Sequence, residues 1–187
     1  MPVRIGAPRE SDFTDPIGML SDCHRRIERF LQTLIAITQE AHGQPLRTEQ
    51  RSALETSLRY FREAAPRHTA DEEESLFPRL RNVNSPEAQA ALARVDSLEQ
   101  DHEQAERKHS EVERLGQEWL SRGQLAAWQV ARLQELLAEL SVLYQQHIRI
   151  EDTEVFPSAK RLLSADDRIL IGAEMAARRG VSERQSR

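Results

Sequence analysis

Apolar residues recur along this chain at alternating three- and four-residue steps, the spacing that keeps side chains on one face of an α-helix. Ile17, Leu20, His24, Ile27, Leu31, Leu34 and Thr38 form the first such stripe. Asp15-Pro16 opens it with an N-cap and a first-turn proline, and Gly43 and Pro45 close it. A second stripe starts near Thr48 and carries Leu54, Leu58, Phe61, Ala65, His68, Glu72, Leu76 and Leu80. Pro66 lies inside it and must kink or split the helix just before His68. Ser85-Pro86 repeats the capped start and leads into Ala91, Val95, Leu98, His102, Ala105, His109, Val112 and Trp119, which Gly123 breaks. The fourth stripe runs Trp128, Leu133, Leu137, Leu140, Tyr144, His147, Glu151 and Val155.

A short fifth helix opens at Ser164, with Asp167 three residues on in the manner of a capping box. The closing RRGVSERQSR reads as a frayed basic tail. No stretch alternates with the two-residue period of a strand. The expected fold is therefore all-α, an up-down-up-down four-helix bundle over residues 15–163. An irregular arm at 1–14 precedes it, and a short extra C-terminal helix with its tail follows at 164–187.

The polar residues on these stripes repeat. HTADEEESLFPRL at 68–80 shares the frame H-x-x-x-E-[ED]-x-x-[LV]-F-P with HIRIEDTEVFPSA at 147–159. HRRIER at 24–29 likewise matches HEQAER at 102–107. His24 and His102 are 78 residues apart, and His68 and His147 are 79 apart. The duplicated object is a two-helix hairpin carrying one histidine on its first helix and HxxxE on its second.

Composition narrows the class. The 187 residues suffice for one domain with a sizeable core, and 30% charged with 39% hydrophobic residues is ordinary for a water-soluble globular protein. A net charge of −5 gives no electrostatic reason to expect nucleic acid. The single Cys23 excludes an internal disulfide and fits a reducing compartment. No apolar run has the length of a membrane span or the character of a signal peptide, so a cytoplasmic location is expected.

Residues four apart on a helix share a face about 6 Å apart along the axis. His68 with Glu72, and His147 with Glu151, can each aim an imidazole and a carboxylate at one point, and His24 and His102 add two more imidazoles from the facing stripes. Buried carboxylates are costly unless something positive neutralises them, and metal ions would do so. Imidazole with carboxylate suits iron or manganese, with zinc possible. Four histidines and two bridging glutamates, with an oxo or hydroxo bridge, fill about ten of the twelve positions of two octahedral ions. About two stay open for a small ligand such as O2.

His24, His68-x-x-x-Glu72, His102 and His147-x-x-x-Glu151, with the trailing Phe-Pro pairs, resemble the H-HxxxE-H-HxxxE signature of hemerythrin-like (HHE cation-binding) proteins over roughly residues 15–163. The resemblance implies a four-helix bundle with a non-haem di-iron centre that interacts with O2 or related diatomic or peroxide ligands. It is unlike the ferritin arrangement, which uses Glu-x-x-His. Oxygen-carrying hemerythrins proper have a further histidine one turn after the third-helix histidine, where this chain has Glu106. That departure weighs against simple O2 carriage and leaves room for redox turnover, sensing or iron handling.

Other residues bear two readings each. Glu28 and Glu106 are extra ligands, partners of a ligand histidine or surface charges. Tyr144 is a core tyrosine or a hydrogen-bond donor to a ligand at the metals. His109, about 10 Å along the helix from His102, is a core or edge histidine. His42 is expected to partner the dipole at a helix C-terminus. Asp71, Glu73 and Glu74 read as a solvated face, and Cys23 as a packing residue. The Phe-Pro pairs, about 14 Å beyond each histidine, are expected to plug one bundle end. The function classes that remain are a binder or sensor of O2 or NO, a di-iron enzyme such as one disproportionating peroxide, and iron storage or donation. A metal-free helical scaffold is the bland alternative.

Overall fold

A computed structural model describes residues 10–181, and these are helical throughout, with no strand among them. Asp15 accepts a hydrogen bond from the Gly18 amide at 3.0 Å and starts α1 (Pro16–Ala41). At its other end His42 itself takes the left-handed conformation, with φ 47°. It is thus itself the residue that terminates the helix. Gly43 follows with φ 76°, and a Cβ there would lie 2.4 Å from Val130, so only glycine fits that close approach.

The second hairpin arm is broken as Pro66 requires. The first piece, α2 (Thr48–Glu63), stops at Ala64, and α3 (Ala65–Ala70) restarts the helix with the proline in its first turn. A π-helical segment over Asp71–Leu76 comes next, and α4 (Phe77–Arg81) after it. Ser85 caps the long α5 (Pro86–Arg122) by accepting from the Ala88 amide. Gly123, with φ 77°, ends it. Then α6 (Ala127–Ile150) runs into a second π segment over Glu151–Val155 and on to α7 (Phe156–Leu162).

The π segments have a cause in the sequence. Pro78 and Pro157 lack an amide hydrogen, and each ring would clash with the carbonyl four residues back, that of Glu74 or Thr153. Widening the turn relieves the clash, and the hydrogen bonds step five residues back: the Phe77 amide donates to the Glu72 carbonyl and the Phe156 amide to that of Glu151. The Phe-Pro pairs therefore open new helical pieces, and both phenylalanines are buried.

α1 packs against α2 and α6, and α5 packs against the same two, which encloses one core. That core falls into two apolar clusters. Ile27, Leu58, Phe61, Ala105, Leu137 and Tyr144 belong to one, and Leu20, Leu76, Phe77, Leu98, Val155 and Phe156 to the other. Each fully buried leucine contributes about 2 kcal/mol by leaving water. His24, His68, His102 and His147 fall where the two clusters meet, so a polar layer crosses an otherwise apolar interior. Trp128, placed on the inner stripe by spacing, is instead 66% exposed. It stands in the first turn of α6, five residues before Leu133 and so off the stripe, while the neighbouring Gln129 and Val130 are the buried residues of that turn.

Ser164 caps α8 (Ala165–Arg178) with the predicted reciprocal bonds to Asp167. The helix lies on α1 and the first π segment. Its end is not frayed at Arg178 and Arg179. These two arginines clamp Asp71 at 2.9 and 2.6 Å, and Arg178 also reaches Ser75 and Glu74. Asp71 is fully buried rather than part of a solvated face. The rest of the expected tail, 182–187, and most of the N-terminal arm, 1–9, lie outside the described residues. No helix among the described residues is long and apolar enough to cross a membrane.

Candidate metal centre

All six side chains singled out by spacing meet in the polar layer. His24 comes from α1, His68 from α3, Glu72 from the first π segment, His102 from α5, His147 from α6 and Glu151 from the second π segment. Each histidine turns Nε2 inward. His24 Nε2 lies 3.0 Å from Glu151 Oε2 and 3.9 Å from Glu72 Oε1. His68 Nε2 is 3.2 Å from Glu72 Oε1, His102 Nε2 3.4 Å from Glu72 Oε2, and His147 Nε2 3.2 Å from Glu151 Oε2. His102 and His147 face each other, Nε2 to Nε2, at 3.1 Å.

These ligating atoms form two groups, His24, His68, Glu72 and Glu151, and Glu72, His102, His147 and Glu151. Within each group the atoms lie within 4.8 Å of one another. Both glutamates belong to both groups, so the carboxylates stand between two imidazole pairs. Both glutamates are fully buried. Among the described residues, none of their four oxygens has a hydrogen-bond partner, and neither has His24 Nε2. Orphaned buried acceptors aimed at common points are what cation ligands look like without their cation.

The outer nitrogens are held by acids. His24 Nδ1 is 3.1 Å from Asp152, His102 Nδ1 2.8 Å from Glu73, and His147 Nδ1 3.3 Å from Asp101. Such partners fix ring orientation and leave Nε2 as the more basic, inward-facing lone pair. His68 Nδ1 has no partner among the described residues. Sequence reading missed these three acids and assigned Glu73 to solvent. A signal was available, because Glu72-Glu73 and Glu151-Asp152 are equivalent positions of the repeat.

Electrostatics agree with a pocket built for positive charge. Burial alone would depress the histidines, but Asp152, Glu151 and Glu72 raise the His24 pKa to about 10. Against the same burial, Glu72, Glu151 and Glu73 raise His102 to about 9, and His147 is raised by Glu151 and Glu72. Burial and the Glu151 charge push Glu72 up to about 7, opposed by His102 and His24. Burial would raise Glu151 as well, yet His147 and His24 hold it below the usual carboxylate range. His68 goes the other way, driven down by burial and then by His24.

The remaining candidates stay out of the cluster. Glu28 and Glu106 are exposed surface charges. Tyr144 places its hydroxyl 3.0 Å from His109 Nε2, and the His109 ring stacks on Phe61 with centroids 4.1 Å apart. Both residues line a cavity of about 400 Å³ that also opens on His24, His68, His102 and His147. Cys23 is buried packing, as expected. Phe156 is no ligand, but its ring stacks on that of His24 at 5.2 Å.

Comparison with known proteins agrees with this geometry. The family model of the hemerythrin HHE cation binding domain matches residues 15–159. A protein of Haemophilus influenzae, described only as uncharacterized, is 32% identical over 174 residues, covering 91% of this chain and 94% of the relative. The chain belongs to the hemerythrin HHE cation-binding family.

Proposed function

We propose that this member of the family is a cytoplasmic non-haem di-iron protein that captures a small diatomic ligand, O2 or NO. Its ligands are His24, His68, Glu72, His102, His147 and Glu151. The observation that carries the reading is the overlap of the two ligand groups, each with two imidazoles of its own and both sharing Glu72 and Glu151. A carboxylate-bridged pair of ions divides its ligands in this way. The mixed nitrogen and oxygen donors suit iron, and also accept manganese. We read the four long helices as an up-down-up-down bundle that presents one inward histidine from each side.

Two iron ions would supply one-electron redox chemistry and open positions for a small ligand. The chain's own residues do the rest. Asp152, Glu73 and Asp101 hold protons on the outer nitrogens, so that three imidazoles present neutral lone pairs. Glu72 and Glu151 bring two carboxylates into a fully buried layer, where metal ions would neutralise them. Apolar clusters flank the layer on both sides, and the cavity that opens on the four histidines gives a small ligand its way in.

A second reading, redox turnover of peroxide at the same centre, draws support from the cavity that opens on the four histidines. The test is metal content and the optical spectrum of the purified protein beside His147→Ala. Two irons per chain with near-ultraviolet charge-transfer absorption, lost in the variant, is the expected result. No metal, or a single zinc indifferent to the substitution, overturns the proposal. A stable NO adduct then indicates a binder and peroxide consumption an enzyme, while iron far above two per chain indicates storage.

A further inference from the structure

The cavity that opens on the four histidines has its mouth on one side of the bundle. Its exposed lining residues are Arg62 and Pro66 on one edge and Glu103, Glu106 and Ser110 of α5 on the other. The wall is stepped there. α2 and α4 pack against α5, whereas α3, between them, packs on α1. The break imposed at Pro66 is what makes α3 a separate piece. At about 400 Å³ the space behind this gap has room for an ion together with waters of its shell.

Carboxylates dominate the lining charge. Glu73, Glu103, Glu106 and Glu113 stand against one guanidinium, that of Arg62. Arg62 is engaged by Glu113 at 2.7 Å, and Glu73 by His102 at 2.8 Å. Glu103 reaches only Arg107, at 3.7 Å with both side chains largely exposed, and Glu106 has no ion pair among the described residues. These two lie three apart on α5, where like charges are neighbours and repel, so a passing cation relieves both.

The inner end of the cavity calls for the same sign of ion. His24 and His68 line it at 1% and 4% exposure, and His24 Nε2 and His68 Nδ1 have no hydrogen-bond partner among the described residues. Between mouth and histidines the walls include Ile27, Phe61 and Ile148. A cleft with one sign of charge and walls of low dielectric focuses the field, and raises the on-rate of an opposite ion by about 10- to 1,000-fold.

We propose that the gap between α3 and α5 is the loading port of the metal centre, where Glu103 and Glu106 draw in hydrated divalent cations and hold off small anions without being ligands themselves. The proposal rests on the metal-centre reading above and adds what the six ligands do not supply, a route and a selection by charge.

The test follows uptake of Zn2+, and of Fe2+ without air, by the metal-stripped full chain, in stopped flow with a metal-indicating dye. Glu103→Gln with Glu106→Gln, and Glu103→Lys with Glu106→Lys, are compared with Glu49→Gln with Glu135→Gln, which neutralises two exposed carboxylates elsewhere. At about 0.01 M salt, uptake is expected to slow about three- to tenfold in the neutralised pair and more in the reversed pair, with the control unchanged. At about 1 M salt, where screening acts beyond about 3 Å, all should load alike. Uptake as fast in the port variants as in the unaltered chain, equal slowing in the control, or a difference that persists at high salt overturns the proposal. Where a variant does not fold, the unaltered protein decides, since uptake indifferent to salt overturns it too. The amount bound at saturation reports separately on the di-iron reading. One ion per chain entering at a rate set by Glu103 and Glu106 sinks that reading and leaves the port standing. Two ions at rates indifferent to them do the reverse, and a chain that takes up neither metal overturns both.

Discussion

Glu73 stands to His102 as Asp152 stands to His24. Each acid follows a proposed ligand glutamate in one copy of the repeat and reaches an outer nitrogen on the first helix of the other copy, at 2.8 and 3.1 Å. The two hairpins are thus cross-linked through their histidines. Glu73→Gln and Asp152→Asn are expected to weaken iron binding by about 10- to 100-fold each, and by similar factors, with little change in fold. Competition with a chelator of known affinity measures this, and an effect confined to one of the two would break the symmetry.

Removing the clamp on Asp71 should cost more than removing Asp71. The aspartate is fully buried while Arg178 and Arg179 reach solvent, at 20% and 19% exposure. The double change Arg178→Ala with Arg179→Ala strands a buried charge and is expected to cost about 3–5 kcal/mol. Asp71→Asn leaves two arginines that can turn to water, for about 1–2 kcal/mol. Denaturant midpoints of the two variants give the order.

Gly172 allows the N-terminal arm to lie on α8, since a Cβ there would meet the Phe13 carbonyl oxygen at 2.0 Å. Gly172→Ala must push the arm off. We expect faster proteolysis around residues 10–14 and a loss of about 1–3 kcal/mol, with metal content unchanged. Limited digestion followed by mass spectrometry locates the cut.

In the metal-free protein His24 and His102 carry protons to about pH 10 and 9, against 6.5 for free histidine, and His147 is raised as well. The folded state therefore binds more protons than the unfolded one across this range. The stability these groups contribute is complete below pH 6.5 and is lost as the pH rises through about 9–10. The depressed His68 and Glu151 act in the opposite sense, below pH 6.5. Melting of the metal-free protein from pH 7 to 10 should show a steady fall in Tm, and metal loading at pH 7 should release protons.

Much of this was legible in the chain. The caps at Asp15, Ser85 and Ser164 appear as read, because capping depends on a few neighbouring atoms. The six converging residues were found because duplication of H…HxxxE restricts them twice over. Trp128 misled because it lies five residues before Leu133, which breaks the three- and four-residue steps, and Gln129 and Val130 take the inward face instead. Asp71 misled for a related reason. On the bundle alone its face is open, and what covers it is α8, whose docking depends on arginines more than a hundred residues away. The acids behind the histidines escaped because a carboxylate beside a ligand glutamate looks like one more surface charge until the partner helix is in place.

The π segments carry a consequence for how this site can change. In each, a turn holds one residue more than an α-helix would use, and that surplus begins at Glu72 or Glu151. A deletion of one residue between Glu72 and Pro78 would remove that surplus, and the restored α turn would press the proline ring on the carbonyl four residues back, at a cost of about 3 kcal/mol. Most helices tolerate exchange of residues and resist changes of length, and here that contrast is sharpened at two points. The identity of Glu73, Glu74 or Ser75 can drift at modest cost, while the number of residues there is itself part of what aims the glutamates.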